Sequence, residues 1–256
     1  MVMGTSDYAT GDVRFSFLVV DHRGRPVYRP RATVWLARSR TDAPVQQTTA
    51  RLEAVGVPGS AEGSDATHIY VARVRVPRPG TWWVLARPAG VKIGAVGNLV
   101  VRGRSFSPAV GARAYPSRTP TIASTGANFA ALTTRVPPDR SLLEYSVADS
   151  LRAHVPFVLV FATPKFCASR TCGPIVDVTM SVQKREAARG VRFIHVEIYK
   201  DNAILKGRNR WVTEWRLPTE PWIFLVARDG RIKAKFEGSV SIDELDAAVR
   251  ATLVGK

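Results

Sequence analysis

The chain has 256 residues, of which 45% are hydrophobic and 23% are charged, and this composition excludes an intrinsically disordered protein. No apolar run approaches the roughly 18 residues of a membrane-spanning helix. The 37 Lys and Arg residues outnumber the 21 Asp and Glu residues and give a net charge of +16, which favours anionic partners. The basic residues are scattered and form no nucleic-acid-binding motif, so we predict no specific nucleic-acid binding. Association with an anionic membrane surface is compatible with the net charge.

The first residues, MVMGTSDYATG, lack the basic and apolar regions of a signal peptide. We interpret them as the start of a trimmed chain, from which a native signal or anchor has been removed.

Residues 1–104 are predicted to form an all-β sandwich, because short apolar or alternating segments are separated by Gly and Pro turns and no helical pattern occurs. The predicted strands are Val13–Val20, Thr33–Ala37, Gln46–Leu52, His68–Val76, Thr81–Ala86 and Val91–Val101. Trp82 and Trp83 are adjacent on one of these strands, so we expect one to anchor the core and the other to be partly exposed.

The hairpin YVARVRVPRPGTWWVLA resembles small envelope domains of the immunoglobulin-like and YtkA-like kind. The resemblance implies that this first domain is an immunoglobulin-like sandwich.

Residues 105–139 change character, because Pro, Ser, Thr, Ala and Gly interrupt any periodicity. This composition predicts a semi-extended linker between two domains. We expect its later part, Asn128–Thr134, to lie along the second domain as an edge segment.

Residues 140–256 are predicted to form an α/β domain, in which a β-α-β unit is followed by a β-hairpin and a helix. The predicted elements are a helix over Ser146–His154, a strand over Phe157–Phe161, a helix over Pro174–Arg189, strands over Val191–Tyr199, Trp222–Ala227 and Ile232–Phe236, and a last helix. Ser241 and Glu244 form a capping box for the last helix.

Two cysteines, Cys167 and Cys172, are separated by four residues and follow the apolar strand Phe157–Phe161. A close pair in a chain without other cysteines indicates a redox couple or a local disulfide. Four scattered histidines do not complete a four-ligand zinc site with them, so we predict neither a bound metal nor a cofactor.

Three local patterns resemble the thioredoxin-like superfamily, near its extracytoplasmic thiol-disulfide oxidoreductases. They are FATPKFC after a strand, Pro221 directly before the strand and turn of WIFLVARDGRI, and the capped last helix, within residues 140–254. The resemblance implies that Cys167 is the nucleophile and Cys172 the resolving cysteine. It also implies a cis-proline at Pro221 which, with Glu220 and Phe166, shapes the groove for a substrate chain. The implied partners are protein thiols and disulfides or a redox partner protein outside the cytoplasm.

The sequence departs from the family pattern at two points. The family separates its cysteines by two residues rather than four, and Gly173-Pro174 predicts a helix that begins after Cys172. Phe161 stands where the family has a buried acid. Period-two alternation puts His195 and Glu197 on one face of the neighbouring predicted strand. Either residue is a candidate replacement as proton acceptor; the alternative is that they face a polar sheet surface or pair with each other.

Three other functions fit the same cysteine pair. TPKFCASRTC resembles atypical peroxiredoxins of the bacterioferritin-comigratory type, which implies a thiol peroxidase, although Thr163 lies one residue too far from Cys167 for their motif. Two thiolates with His195 would suit Cu(I), as in Sco-type copper carriers. A permanent disulfide on a non-catalytic binding module is the third alternative.

Overall fold

The computed structural model describes residues 1–57, 66–92, 94–166 and 172–254. Its contacts divide these residues into two compact units. The first unit comprises Met1–Ala54 and Ala66–Ser105, and the second comprises the remaining described residues.

The first unit is built from eight strands. They are β1 (Val2–Met3), β2 (Tyr8–Ala9), β3 (Gly11–Leu18), β4 (Arg31–Ala37), β5 (Gln46–Ala54), β6 (His68–Val76), β7 (Gly80–Pro88) and β8 (Ala95–Arg102). Their hydrogen-bonded order is β1-β3-β6-β5-β4-β7-β8-β2, in which β2 pairs with β8 in parallel and every other pair is antiparallel. The strand class predicted for this part of the chain is confirmed.

One face of this sheet carries a single hydrophobic core, because apolar residues alternate with polar ones along the strands. On β6, Tyr70, Ala72, Val74 and Val76 belong to this core. Trp82 is buried and Trp83 is half-buried, as the alternation predicts. All eight strands belong to one continuous, curled sheet rather than to two separate sheets, so an immunoglobulin-like sandwich stays a prediction.

The second unit combines five α-helices with four strands in its described part. The helices are α1 (Phe129–Leu132), α2 (Val147–Arg152), α3 (Cys172–Glu186), α4 (Arg210–Glu214) and α5 (Ile242–Thr252). The strands are β9 (Phe157–Phe161), β10 (Arg192–Val196), β11 (Trp222–Val226) and β12 (Ile232–Glu237).

The four strands form a sheet in the order β10-β9-β11-β12. β10 is parallel to β9, whereas β11 is antiparallel to β9 and to β12. All five residues of β9 and of β11 are buried, which is why each is an unbroken apolar run in the sequence. The predicted order of a β-α-β unit, a β-hairpin and a helix is therefore present.

Each face of this sheet carries its own core. One core joins Val158 and Val160 of β9 to apolar residues of α3 and α5. The other surrounds Phe157, Leu159 and Phe161 with Trp215 and its neighbours. The cap predicted for α5 is formed, since the Ser241 hydroxyl accepts a hydrogen bond from the Glu244 amide at 3.1 Å.

The stretch predicted to be a linker makes regular contacts within the second unit. The amide of Gly111 donates to the carbonyl of Ile232 at 2.8 Å, and the amide of Ala114 donates to the carbonyl of Gly230 at 2.9 Å. Further along, the Ser117 hydroxyl donates to Glu214 at 2.5 Å. The segment Phe106–Pro138, here named the strap, therefore packs as part of this unit, because its backbone polar groups find partners there.

Candidate functional site

The candidate site lies where β9 ends and α3 begins. After Phe161 the chain makes a turn, in which the Phe166 amide donates to the Thr163 carbonyl at 3.3 Å. Cys167 lies outside the described residues, and Cys172 is the first residue of α3.

The Gly173-Pro174 pair predicted a helix that begins after Cys172. In the structure α3 already includes Cys172, so this prediction is wrong. Pro174 is the third residue of α3. The first four amides of a helix have no partner within it, so the missing N–H of proline breaks no helical hydrogen bond there.

Pro221 lies at the same edge of the sheet as the end of β9. β11 runs antiparallel to β9 and pairs Trp222 with Phe161, so the residue before Trp222 is placed beside the residue after Phe161. The Glu220–Pro221 peptide bond is cis, as the resemblance implies, and Glu220 is half-buried.

Phe166, the last described residue before Cys167, is half-buried against Tyr199. The two rings meet edge to face with centroids 6.2 Å apart. The Lys165 ammonium lies 5.4 Å from the centroid of the Phe166 ring, within the range of a cation–π contact.

His195 on β10 pairs with Val160 of β9 and is buried, with only 3% of its surface exposed. Its Nε2 lies 3.1 Å from the carbonyl oxygen of Ala162, and the carbonyl can only accept. Nε2 therefore carries a proton and donates it, which leaves Nδ1 of a neutral ring as an acceptor. Burial lowers the pKa of His195, although the nearby Glu197 charge and the bond to Ala162 act in the opposite direction.

Glu197 directly follows the last residue of β10 and is 5% exposed. Its Oε1 accepts two hydrogen bonds from Thr134 of the strap, from the amide at 2.5 Å and from the hydroxyl at 2.8 Å. Its Oε2 is buried and has no hydrogen-bond partner among the described residues. His195 and Glu197 are therefore buried rather than on a polar sheet surface.

The Thr134 hydroxyl links Glu197 to the segment that leads to Cys167. It accepts a hydrogen bond from the Lys165 amide at 3.1 Å while it donates to Glu197. Two hydrogen bonds thus connect the carboxylate with a residue two positions before the predicted nucleophile.

The strap supplies a second polar contact, which sequence reasoning missed. The Arg135 guanidinium donates to Oδ1 of Asp177 on α3 from Nε at 3.1 Å and from Nη2 at 2.9 Å. Both side chains are largely buried, with 17% and 13% of their surfaces exposed. The related signal in the sequence was the expectation that Asn128–Thr134 lies along the second domain as an edge segment, and this segment contains the short helix α1.

Acidification is expected to destabilise the second unit through His195. Its folded pKa lies below the ordinary value of 6.5, so the unfolded chain takes up the proton first as the pH falls. The contribution of His195 to the free energy of unfolding should be fully present above about pH 6.5. Below that pH the free energy of unfolding should decline by up to about 1.4 kcal/mol per pH unit. Urea unfolding between about pH 7.5 and 5 measures this slope.

His195→Gln is the matched control for that slope. Its amide group can still donate to Ala162, and His22, His68 and His154 are present in both proteins, so their contributions cancel. A slope that is unchanged in the variant would contradict the assignment to His195.

No group of three or more His, Cys, Asp or Glu side chains in the described ranges is placed to hold a metal ion. No described helix has the length and apolar character needed to cross a membrane.

Comparison with protein-family models gave no match. Comparison with curated proteins gave no match either. Among solved structures, the chain is similar to a thiol:disulfide interchange protein of the thioredoxin family from Chlorobium tepidum TLS, with 15% sequence identity and a TM-score of 0.31. The similarity covers 42% of this chain and 85% of that one. At this identity and TM-score it establishes neither a family nor an activity for the chain.

Proposed function

We propose that this protein is a thiol-disulfide oxidoreductase of the cell envelope, in which Cys167 and Cys172 exchange disulfides with protein substrates. The observation that carries the proposal is the position of Cys172 as the first described residue of α3, the helix that follows the inner strand β9 in the chain. The partial positive charge at a helix N-terminus favours a thiolate over a thiol, and the thiolate is the reactive form.

The proposed reaction has two exchange steps. The Cys167 thiolate attacks one sulfur of a substrate disulfide, which forms a mixed disulfide and releases the other substrate sulfur as a thiolate. The Cys172 thiolate then attacks the mixed disulfide at Cys167, which frees the second substrate thiolate and leaves a Cys167–Cys172 disulfide. Two electrons have passed to the substrate, and a redox partner protein with a dithiol restores the starting state; the reverse sequence oxidises a substrate dithiol.

His195 and Glu197 support this proposal because either side chain could accept the proton that Cys172 loses before the second exchange step. Cys172 must lose its proton before it can attack. Oε2 of Glu197 is buried without a hydrogen-bond partner among the described residues, and the His195 ring, which donates from Nε2, has Nδ1 as its acceptor atom. The hydrogen bonds from Glu197 through Thr134 to Lys165 favour Glu197 for this role.

A groove for a substrate chain is proposed beside Pro221, bordered by Glu220 and Phe166. Pro221 is placed next to the end of β9 by the strand register, and Phe166 precedes Cys167. The net charge of +16 favours acidic partner proteins or an anionic membrane surface. Location in the cell envelope is a further part of the proposal.

The redox equilibrium of the cysteine pair tests the proposal. The protein is equilibrated in glutathione or dithiothreitol buffers of known potential, and free thiols are counted. We expect a reversible two-electron transition between about −120 and −270 mV, the range of working exchangers. A Cys172→Ser variant is expected to trap substrates as mixed disulfides at Cys167, and Cys167→Ser is the matched control that should trap none.

A disulfide that resists reduction below about −300 mV would identify a structural bond and overturn the proposal. The absence of mixed disulfides in the Cys172→Ser variant would do the same for the assignment of Cys167 as the nucleophile.

A further inference from the structure

A cavity of about 520 Å³ opens in the second unit beside the candidate site. It lies between α1, the loop Lys200–Asn202 and the first turn of α4. Its volume falls within the roughly 300–1,000 Å³ that small-molecule sites occupy. Glu197 and Tyr199 line it, so it borders the residues described above without including the cysteines.

Two aromatic side chains form fixed walls of this cavity. The Trp211 indole donates from Nε1 to the carbonyl of Arg118 at 3.1 Å, and the Tyr199 ring packs against Phe166. Leu132 and Pro120 add further apolar surface. Flat aromatic walls held by such contacts suit a flat apolar ligand.

Two cations stand at the rim. Lys200 and Arg210 are exposed, line the cavity and form no ion pair within the described part of the chain. The Arg210 guanidinium lies 4.9 Å from the centroid of the Trp211 ring. The two acidic residues in the lining are already engaged, because Asp201 pairs with Lys206 at 3.0 Å and Glu197 accepts from Thr134.

The loop that carries Lys200 has an unusual conformation. Asp201 and Asn202 both have a φ of 52°, in the left-handed region that non-glycine residues seldom adopt. The Asn202 side chain donates to the carbonyl of Ala130 at 2.6 Å and so ties the loop to α1 across the cavity. Conformations of this kind are concentrated at binding sites, where the surrounding structure maintains them.

We propose that this cavity binds a small molecule that has a flat apolar body and one anionic group. The body lies between Tyr199 and Trp211, and the anionic group meets Lys200 and Arg210. The buried carboxylate of Glu197 disfavours a second anionic group at the inner end, so the ligand carries its charge at one end only. This site goes beyond the proposed disulfide exchange and does not depend on it.

Fluorescence titration with 8-anilino-1-naphthalenesulfonate tests this site, because the probe combines a flat apolar body with one anionic group. N-phenyl-1-naphthylamine, which lacks the sulfonate, is the matched probe. We expect the sulfonate to bind about tenfold more tightly than the neutral probe. The double variant Lys200→Gln/Arg210→Gln should weaken sulfonate binding by about tenfold, and Ala131→Trp, which fills the cavity from α1, should abolish it.

The control variant Lys184→Gln/Arg23→Gln removes two exposed charges elsewhere and gives the same net charge as the double rim variant. It should bind the sulfonate as the unmodified chain does. The proposal is overturned if the double rim variant or Ala131→Trp binds like the unmodified chain, or if the control weakens binding as much as the rim variant. The titration contains no redox step, so its failure is distinguishable from failure of the proposed disulfide exchange.

Discussion

Replacing Trp215 with alanine is expected to lower the free energy of unfolding of the second unit by about 3–5 kcal/mol. The side chain is fully buried, with its ring centroid 4.8 Å from that of Phe224 and 5.5 Å from that of Phe161. Its Nε1 donates to the Ser117 hydroxyl of the strap at 2.9 Å. Truncation therefore leaves a cavity behind the central strand and removes a hydrogen bond that holds the strap.

Trp215→Phe is the matched control for this effect. Phenylalanine keeps part of the aromatic volume but cannot donate to Ser117, so the loss should be clearly smaller than with alanine. Urea unfolding followed by circular dichroism gives both values. A cost below about 1 kcal/mol for alanine would be typical of a surface position and would contradict the packing described here.

The buried strands of the second unit were predictable because their local signal is strong. Phe157–Phe161 is an unbroken apolar run, and a strand with both faces covered needs that composition at each position. The last helix was predictable for a different reason, since the Ser241 cap and the spacing of Leu245 and Val249 both indicate a helix.

The strap was not predictable, because its contacts join residues that are far apart in the sequence. Ser117 meets Trp215, and Thr134 meets Glu197, across 98 and 63 positions. The local sequence is rich in Pro, Ser and Thr, which favours a loop whether it crosses solvent or packs on a sheet. Composition therefore predicted a linker where side-chain hydrogen bonds hold the segment in place.

The first unit shows the same division between local and long-range information. Alternation predicted a strand over His68–Val76, but the strand order depends on pairings such as that between β2 and β8. A strand of two residues, Tyr8–Ala9, has no periodicity of its own. One curled sheet and two packed sheets therefore require nearly the same pattern of alternating residues.

At the candidate site, the sequence placed His195 and Glu197 on one side of a strand but could not place their partners. Period-two alternation predicted that the two share a face. Their burial and the bonds to Ala162 and Thr134 come from the end of β9 and from the strap, which reach the site from distant parts of the chain. The structure adds that both side chains are buried, which the shared face alone did not predict.

Glu197→Gln is expected to slow disulfide exchange by about a hundredfold near pH 7, a loss typical of a removed general base. The glutamine carbonyl can still accept from Thr134, so the strap should keep its place, whereas the basic oxygen corresponding to Oε2 is lost. Single-turnover exchange with a model disulfide, measured across a range of pH, gives the rate and its pH profile.

Glu214→Gln is the matched control, because Glu214 also accepts a hydroxyl hydrogen bond, from Ser117, but belongs to α4. It should exchange disulfides within about threefold of the unmodified chain, a small free-energy difference. His195→Gln distinguishes the two candidate acceptors. If this variant exchanges disulfides about a hundredfold more slowly while Glu197→Gln keeps the unmodified rate, the imidazole of His195 accepts the Cys172 proton instead. If both variants keep the rate and the pH profile of the unmodified chain, the buried pair has no part in proton transfer and serves only to hold the strap and the end of β9 together.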